Sequence, residues 1–186
     1  MSTTFLDNDQ IGTVATFSEL VQTEFKGKQN ALCWYRNLEG DFKEIVRQLQ
    51  LKEDITEVSP EDLLALQLSE MGNKARAIIL EDLRVLTDFG ASPSLNLLKC
   101  YERDDAFDFI ATDVYSYHVD RSPIATDTFL CTYHGAASDI IANDQAEQKI
   151  LIPEIRNKLK ALHQGPEEEF KSFLKEYFFD LHYQAK

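Results

Sequence analysis

The sequence has no long apolar run, no glycine-rich phosphate loop, no nucleophile elbow and few basic residues, and each absence removes a class of function. No stretch approaches the ~20 consecutive apolar residues of a membrane span. Residues 1–10 carry neither a basic n-region nor an apolar h-region, so no signal peptide is expected and cytoplasm is the natural compartment. Lys and Arg number 19 against 32 Asp and Glu, a formal net charge of -13. Such a surface repels nucleic acid and anionic membranes, so neither is an expected partner, and its ordinary role is solubility. The three cysteines, Cys33, Cys100 and Cys131, lie in apolar runs and form no Cys-x-x-Cys pair. They are expected to be buried free thiols in a reducing compartment.

What is present suits one ordinary globular domain of 186 residues, with a core that needs neither disulfides nor structural metal. Residues 1–92 read as mainly helical. Phe17, Leu20, Val21 and Phe25 suggest a short helix capped by Ser18, and Ala31–Tyr35 a short strand ending at Arg36 with Trp34 as core anchor. Leu38, Phe42, Ile45, Val46 and Leu49 recur at helical spacing. Ser59-Pro60-Glu61-Asp62 is a helix start, and that helix is expected to run to Met71-Gly72. Asn73–Phe89 follows as another helix, with Gly90 just past its end.

From about 93 to 141 the texture changes to strands: Ser94–Glu102, Phe107–Ala111, Tyr115–Asp120 and Thr126–Tyr133, with short breaks between them. Short breaks leave no room for crossover helices, so the sheet is expected to be antiparallel. Residues 144–183 return to two helices. One covers Glu147–Gln164, with Pro153 as first residue or kink, and the other begins at Gly165-Pro166. The second carries Phe170, Phe173, Leu174, Tyr177, Phe178 and Leu181, a face expected in the core and otherwise suited to a partner. The predicted class is α+β.

Chemistry concentrates in Tyr115-Ser116-Tyr117-His118-Val119-Asp120. On an extended strand His118 and Asp120 share one face, roughly 6.5–7 Å apart along the chain, and can reach one divalent cation. A third donor has to come from elsewhere. His134, at the end of the next predicted strand, is the nearest candidate; His163 and His182, placed in helices, suit less well. Ser138-Asp139 and the Cys131/His134 pair match no nucleophile geometry.

Two pieces, Leu32-Cys33-Trp34-Tyr35-Arg36 and Tyr117-His118-Val119-Asp120 followed by Leu130–Asp139, together resemble an uncharacterised bacterial family of domains of unknown function. That family carries Trp-x-Arg, then Phe-His-x-Asp, then Cys-Thr-Tyr-x-Gly-x-Gly-Thr-Glu, and later a strand with His-Arg-x-Pro. Its layout is similar to the double-stranded β-helix (cupin or jelly roll) of iron and 2-oxoglutarate oxygenases. The resemblance covers about a third of the chain. It implies His118 and Asp120 as ligands of Fe(II), 2-oxoglutarate as cosubstrate and a partly jelly-roll-like middle sheet. Arg121 and Arg103 are the nearby cations for the cosubstrate. Ala137 and Asp139 depart from the pattern, and no His-Arg-x-Pro follows, so a shortened member or an incomplete C-terminus is expected. The expected function is thus an oxygenase-like protein acting on a small-molecule or protein substrate that the sequence does not name. The alternative is a non-catalytic interaction module with a degenerate site and a partner surface on the C-terminal aromatic helix.

Overall fold

Helices form where the sequence supplies both an apolar stripe and a local cap. The computed structural model describes residues 9–186; the first eight, grouped above with the helical part, lie outside the described residues. Strand β1 (Ile11–Val14) leads into helix α1 (Phe17–Gln22), whose cap is Thr16 and not Ser18. Thr16 is extended and its hydroxyl accepts Glu19 N at 3.1 Å, whereas Ser18 already lies inside the helix. β2 (Ala31–Trp34) pairs with β1 in parallel, from Ile11 against Ala31 to Val14 against Trp34.

Helix α2 (Phe42–Gln48) is capped by Asp41, whose carboxylate accepts Glu44 N at 3.0 Å. β3 (Ile55–Glu57) precedes α3 (Pro60–Ala65), which starts at Ser59 with Pro60 in the first turn, as the sequence predicts. The expected run to Gly72 does not occur. Leu66 is extended, and Ser69 opens a new helix, α4 (Glu70–Phe89), by accepting Gly72 N at 3.1 Å. Glu44 fixes that corner, accepting from Ser69 N at 2.9 Å and Ser69 Oγ at 2.6 Å. Gly72 therefore lies inside a helix, where a Cβ would fall 2.2 Å from Glu44 Oε2. Gly90 ends α4 at φ 97, a left-handed cap that favours glycine. Phe42, Ile45, Val58, Leu63, Ala75 and Ile79 form the apolar core of this region.

The α+β class holds, but strands are spread along the chain and are not gathered in residues 93–141. In that span only β4 (Asn96–Leu98) and β5 (Tyr117–His118) form. β4 pairs antiparallel with β3, Leu98 opposite Ile55. Phe107–Ala111 and Thr126–Tyr133 are irregular, and no jelly-roll sheet forms among the described residues. Polar side chains take N–H groups that a ladder needs: Asp113 accepts Asp104 N at 3.1 Å and Tyr115 N at 3.0 Å, Asp104 accepts Ala106 N at 3.1 Å, and the Tyr115 hydroxyl accepts Tyr101 N at 3.0 Å. Further on, Ile124 and Leu130 stand in solvent at 72% and 79% exposure, and that segment buries only Phe129 and Tyr133 in part, with no strand among the described residues to pair it.

β6 (Ala146–Gln148) leads through a 3-10 turn into α5 (Pro153–His163), with Pro153 in its first turn. Glu147–Ile152 is thus strand and turn, not helix. α6 (Glu167–Glu176) follows, and β7 (His182–Ala185) ends the chain where a helix was expected. The third sheet has the order β5-β7-β6, antiparallel throughout. A second core gathers Ile110, Ile150, Leu159, Phe170, Leu174 and Phe179. Most of the predicted aromatic face is therefore core, leaving Tyr177 and Phe178 half exposed. No helix among the described residues is long and apolar enough to cross a membrane.

Candidate metal centre

β5 is short because a turn precedes it. Asp113 O accepts Ser116 N at 3.1 Å, and only Tyr117 and His118 remain to pair, against Tyr183 and His182 of β7. Val119 N extends the ladder by one bond to Leu181 O at 3.1 Å. His118 Nε2 lies 3.8 Å from Asp120 Oδ1, so the His-x-Asp pair does meet. Its other nitrogen, Nδ1, lies 2.7 Å from Ser116 O. A carbonyl only accepts, so Nδ1 carries the proton and Nε2 presents its lone pair on the Asp120 side. Metal-binding histidines are oriented by this kind of bond.

His182 faces His118 across the ladder, with ring centroids 5.7 Å apart. It is 5% exposed, and its Nδ1 is a buried nitrogen without a hydrogen-bond partner. Burial, followed by the electrostatic effects of His118 and Lys149, depresses its pKa to about 4, against the smaller pull of Asp113 and Asp104. The ring is neutral at ordinary pH, the form that binds metals. Beneath the pair lies a polar cluster that the sequence reading did not find. Lys149 Nζ donates to Ser116 Oγ at 2.7 Å and Ala111 O at 3.2 Å, and burial lowers its pKa. Buried Asp113 pairs with Arg103 Nε at 3.1 Å, and Thr112 Oγ1 donates to Asp104, whose pKa is lowered chiefly by that bond.

The remaining predicted site residues fall elsewhere or are already engaged. His134 is exposed on an irregular segment, and β5 pairs with β7 and not with that segment. Arg121 donates to Lys175 O at 2.9 Å and Asp180 Oδ1 at 3.1 Å and stacks on Phe178. Arg103 is held by Asp113 and stacks on Tyr115. His182 is the residue the sequence reading undervalued. A signal was available in its alternating His-Tyr-Gln-Ala run, obscured by the helical spacing of Phe173–Leu181 before it.

The other motif residues converge at a separate place. Arg36 pairs with both oxygens of Asp82 on α4, at 2.7 and 2.5 Å, and lies 4.4 Å above the Trp34 ring. Tyr133 donates to the same carboxylate at 2.7 Å, and burial with that bond raises its pKa. Cys131 Sγ accepts from Arg36 at 3.8 Å. Trp34-x-Arg36 and Cys131-x-Tyr133 thus form one anchor that ties the irregular segment to α4. The thiols are free, with Cys131 exposed and Cys33 and Cys100 half-buried, a correction to the buried positions expected of them.

Among the described residues, no three His, Cys, Asp or Glu side chains converge on one point as they stand. Compared with protein-family models, curated proteins and solved structures, the chain matches none.

Proposed function

We propose that the end of β5 is a divalent transition-metal site of an oxygenase-like protein, with His118 and Asp120 as donors, Fe(II) as the metal and 2-oxoglutarate as cosubstrate. The observation that carries this reading is the orientation of His118. The bond from Nδ1 to Ser116 O leaves Nε2 3.8 Å from Asp120 Oδ1. Two donors on one ion, each at about 2.1 Å and at right angles, stand about 3 Å apart, and Asp120 is exposed enough to close that gap. Imidazole with carboxylate suits iron-like metals better than calcium. Bound there, the metal supplies the oxygen chemistry that no side chain of this chain provides. Arg103, paired with Asp113, and Arg121, paired with Asp180, are the cations that the resemblance offers to an acidic cosubstrate.

Anaerobic titration with Fe(II) or Ni(II) tests the site. The full chain binds at micromolar metal, and His118→Ala or Asp120→Ala each weakens binding at least about 10-fold. No binding by the unaltered chain sinks the reading. A second reading, an interaction module, draws on the half-exposed Tyr177 and Phe178. That reading takes over where no metal binds and Tyr177→Ala, but not His118→Ala, abolishes partner binding.

A further inference from the structure

We propose that Lys149 is a reactive amine that forms a Schiff base with a small, uncharged aldehyde, an activity independent of the metal reading. Lys149 opens the 3-10 turn that follows β6, and β6 is held against β7 with Gln148 opposite Tyr183. From there its side chain reaches the turn before β5, where Nζ donates to Ser116 Oγ at 2.7 Å and to Ala111 O at 3.2 Å. Both acceptors are uncharged. Lys74, Lys99 and Lys160 each pair with a carboxylate, whereas among the described residues Lys149 has none within 4.0 Å. The carboxylate whose charge it does feel, Asp113, is committed elsewhere: it is buried, pairs with Arg103 Nε at 3.1 Å and accepts the N–H groups of Asp104 and Tyr115.

That bonding suits an amine better than an ammonium ion. A neutral amine has two hydrogens and one lone pair; the two hydrogens match the two acceptors, which leaves the lone pair for an electrophile. Lys149 is half-buried, and burial lowers its pKa against the opposing charge of Asp113. Desolvation of this kind makes a lysine a nucleophile towards carbonyl carbon. In the reaction the Nζ lone pair adds to the carbonyl carbon, the C=O π pair moves to oxygen, and one N–H proton follows it there. The remaining N–H proton leaves with the resulting hydroxyl as water while the C=N bond forms, and nothing is oxidised or reduced. The surroundings set the ligand class. Asp113 and Asp104 in the same cluster disfavour a ligand with its own negative charge. A half-buried amine also admits a carbonyl carbon with one small substituent more readily than one with two.

The test treats the full chain at neutral pH with limiting propionaldehyde and cyanoborohydride, which reduces the imine to a stable alkyl-lysine, and locates the product by peptide mass. Lys149 is alkylated at least about 10-fold faster than Lys171, an exposed lysine of α6. This comparison needs no variant, so a misfolded substitution does not decide the outcome. Lys149→Arg keeps the charge and the donors, and should remove the fast site while leaving the rate at Lys171 unchanged. If Lys149 reacts no faster than Lys171, it is an ordinary structural lysine and the proposal falls. Glyoxylate, an aldehyde that carries a carboxylate, should show a smaller preference for Lys149 over Lys171 than propionaldehyde does. An equal preference overturns the restriction to uncharged aldehydes. None of these outcomes bears on whether His118 and Asp120 bind a metal.

Discussion

The two apolar cores are built by different means. Around Leu63 and Ile79 every helix carries its own side-chain cap: Asp41 for α2, Ser59 for α3 and Ser69 for α4. Around Leu159 and Phe179 neither α5 nor α6 has one; Ile152 and Pro166 stand at those positions. That core is held by aromatic contacts between distant segments, Phe107 on Phe179 at 5.8 Å and Phe173 on Phe179 at 5.8 Å. The first core is thus specified by local signals and the second by long-range packing. The candidate metal centre sits beside the second, where β7 brings His182 to His118.

The largest expected effect breaks this contrast or confirms it. Phe179 is 1% exposed, and Phe179→Ala costs about 3–5 kcal/mol; Leu63→Ala, fully buried in the other core, costs about 2–5 kcal/mol. Denaturant unfolding gives the totals, and amide exchange locates them. Phe179→Ala should open α6 and β7 while α3 and α4 keep their protection, and Leu63→Ala the reverse. Equal loosening of both regions by either variant shows one cooperative core.

A smaller effect comes from His182. Its folded pKa of about 4 lies below the unfolded value of about 6.5, so the unfolded chain takes up the proton first. The full stability is present above pH 6.5 and is lost as pH falls towards 4, about 3 kcal/mol over the window, with no further loss from this group below it. Burial sets most of the shift, His118 and Lys149 add to it, and Asp113 and Asp104 oppose it. Urea midpoints between pH 7 and 4 measure the slope, and His182→Gln should flatten it. An unchanged slope in that variant assigns it to the carboxylates.

Much of the first core was legible in the sequence because its signals are local. Ser59-Pro60 and Phe89-Gly90 mark ends that hold in the structure. Where two local signals competed, as at Ser69, helical periodicity alone missed the break. The middle segment was misread for a physical reason: alternating apolar residues such as Leu130 suggest a strand, but without a neighbour to bond they remain exposed. Of the candidate site, the His-x-Asp spacing was visible and its cross-strand partner was not. Pairing His118 with His182 depends on how the chain between them folds, which spacing does not encode.

The smallest expected effect sharpens the comparison from the other side. Ser59 Oγ accepts Asp62 N at 3.1 Å, and Asp62 Oδ2 accepts Ser59 N at 2.9 Å, a reciprocal box that satisfies two free donors of α3. The Ser59 hydroxyl also donates to Asp62 Oδ2 at 2.7 Å, and that bond, with the smaller contribution of the one from Ser59 N, lowers the Asp62 pKa. Ser59→Ala removes the hydroxyl while Pro60 still sets the first turn, so the loss should stay near 1 kcal/mol. Exchange should rise in α3 alone, because the cap acts on backbone groups within one turn. Ser59→Asp keeps an acceptor and should restore most of the loss. If Ser59→Ala also loosened α6 or β7, the locally specified core would be coupled to the one that positions His182.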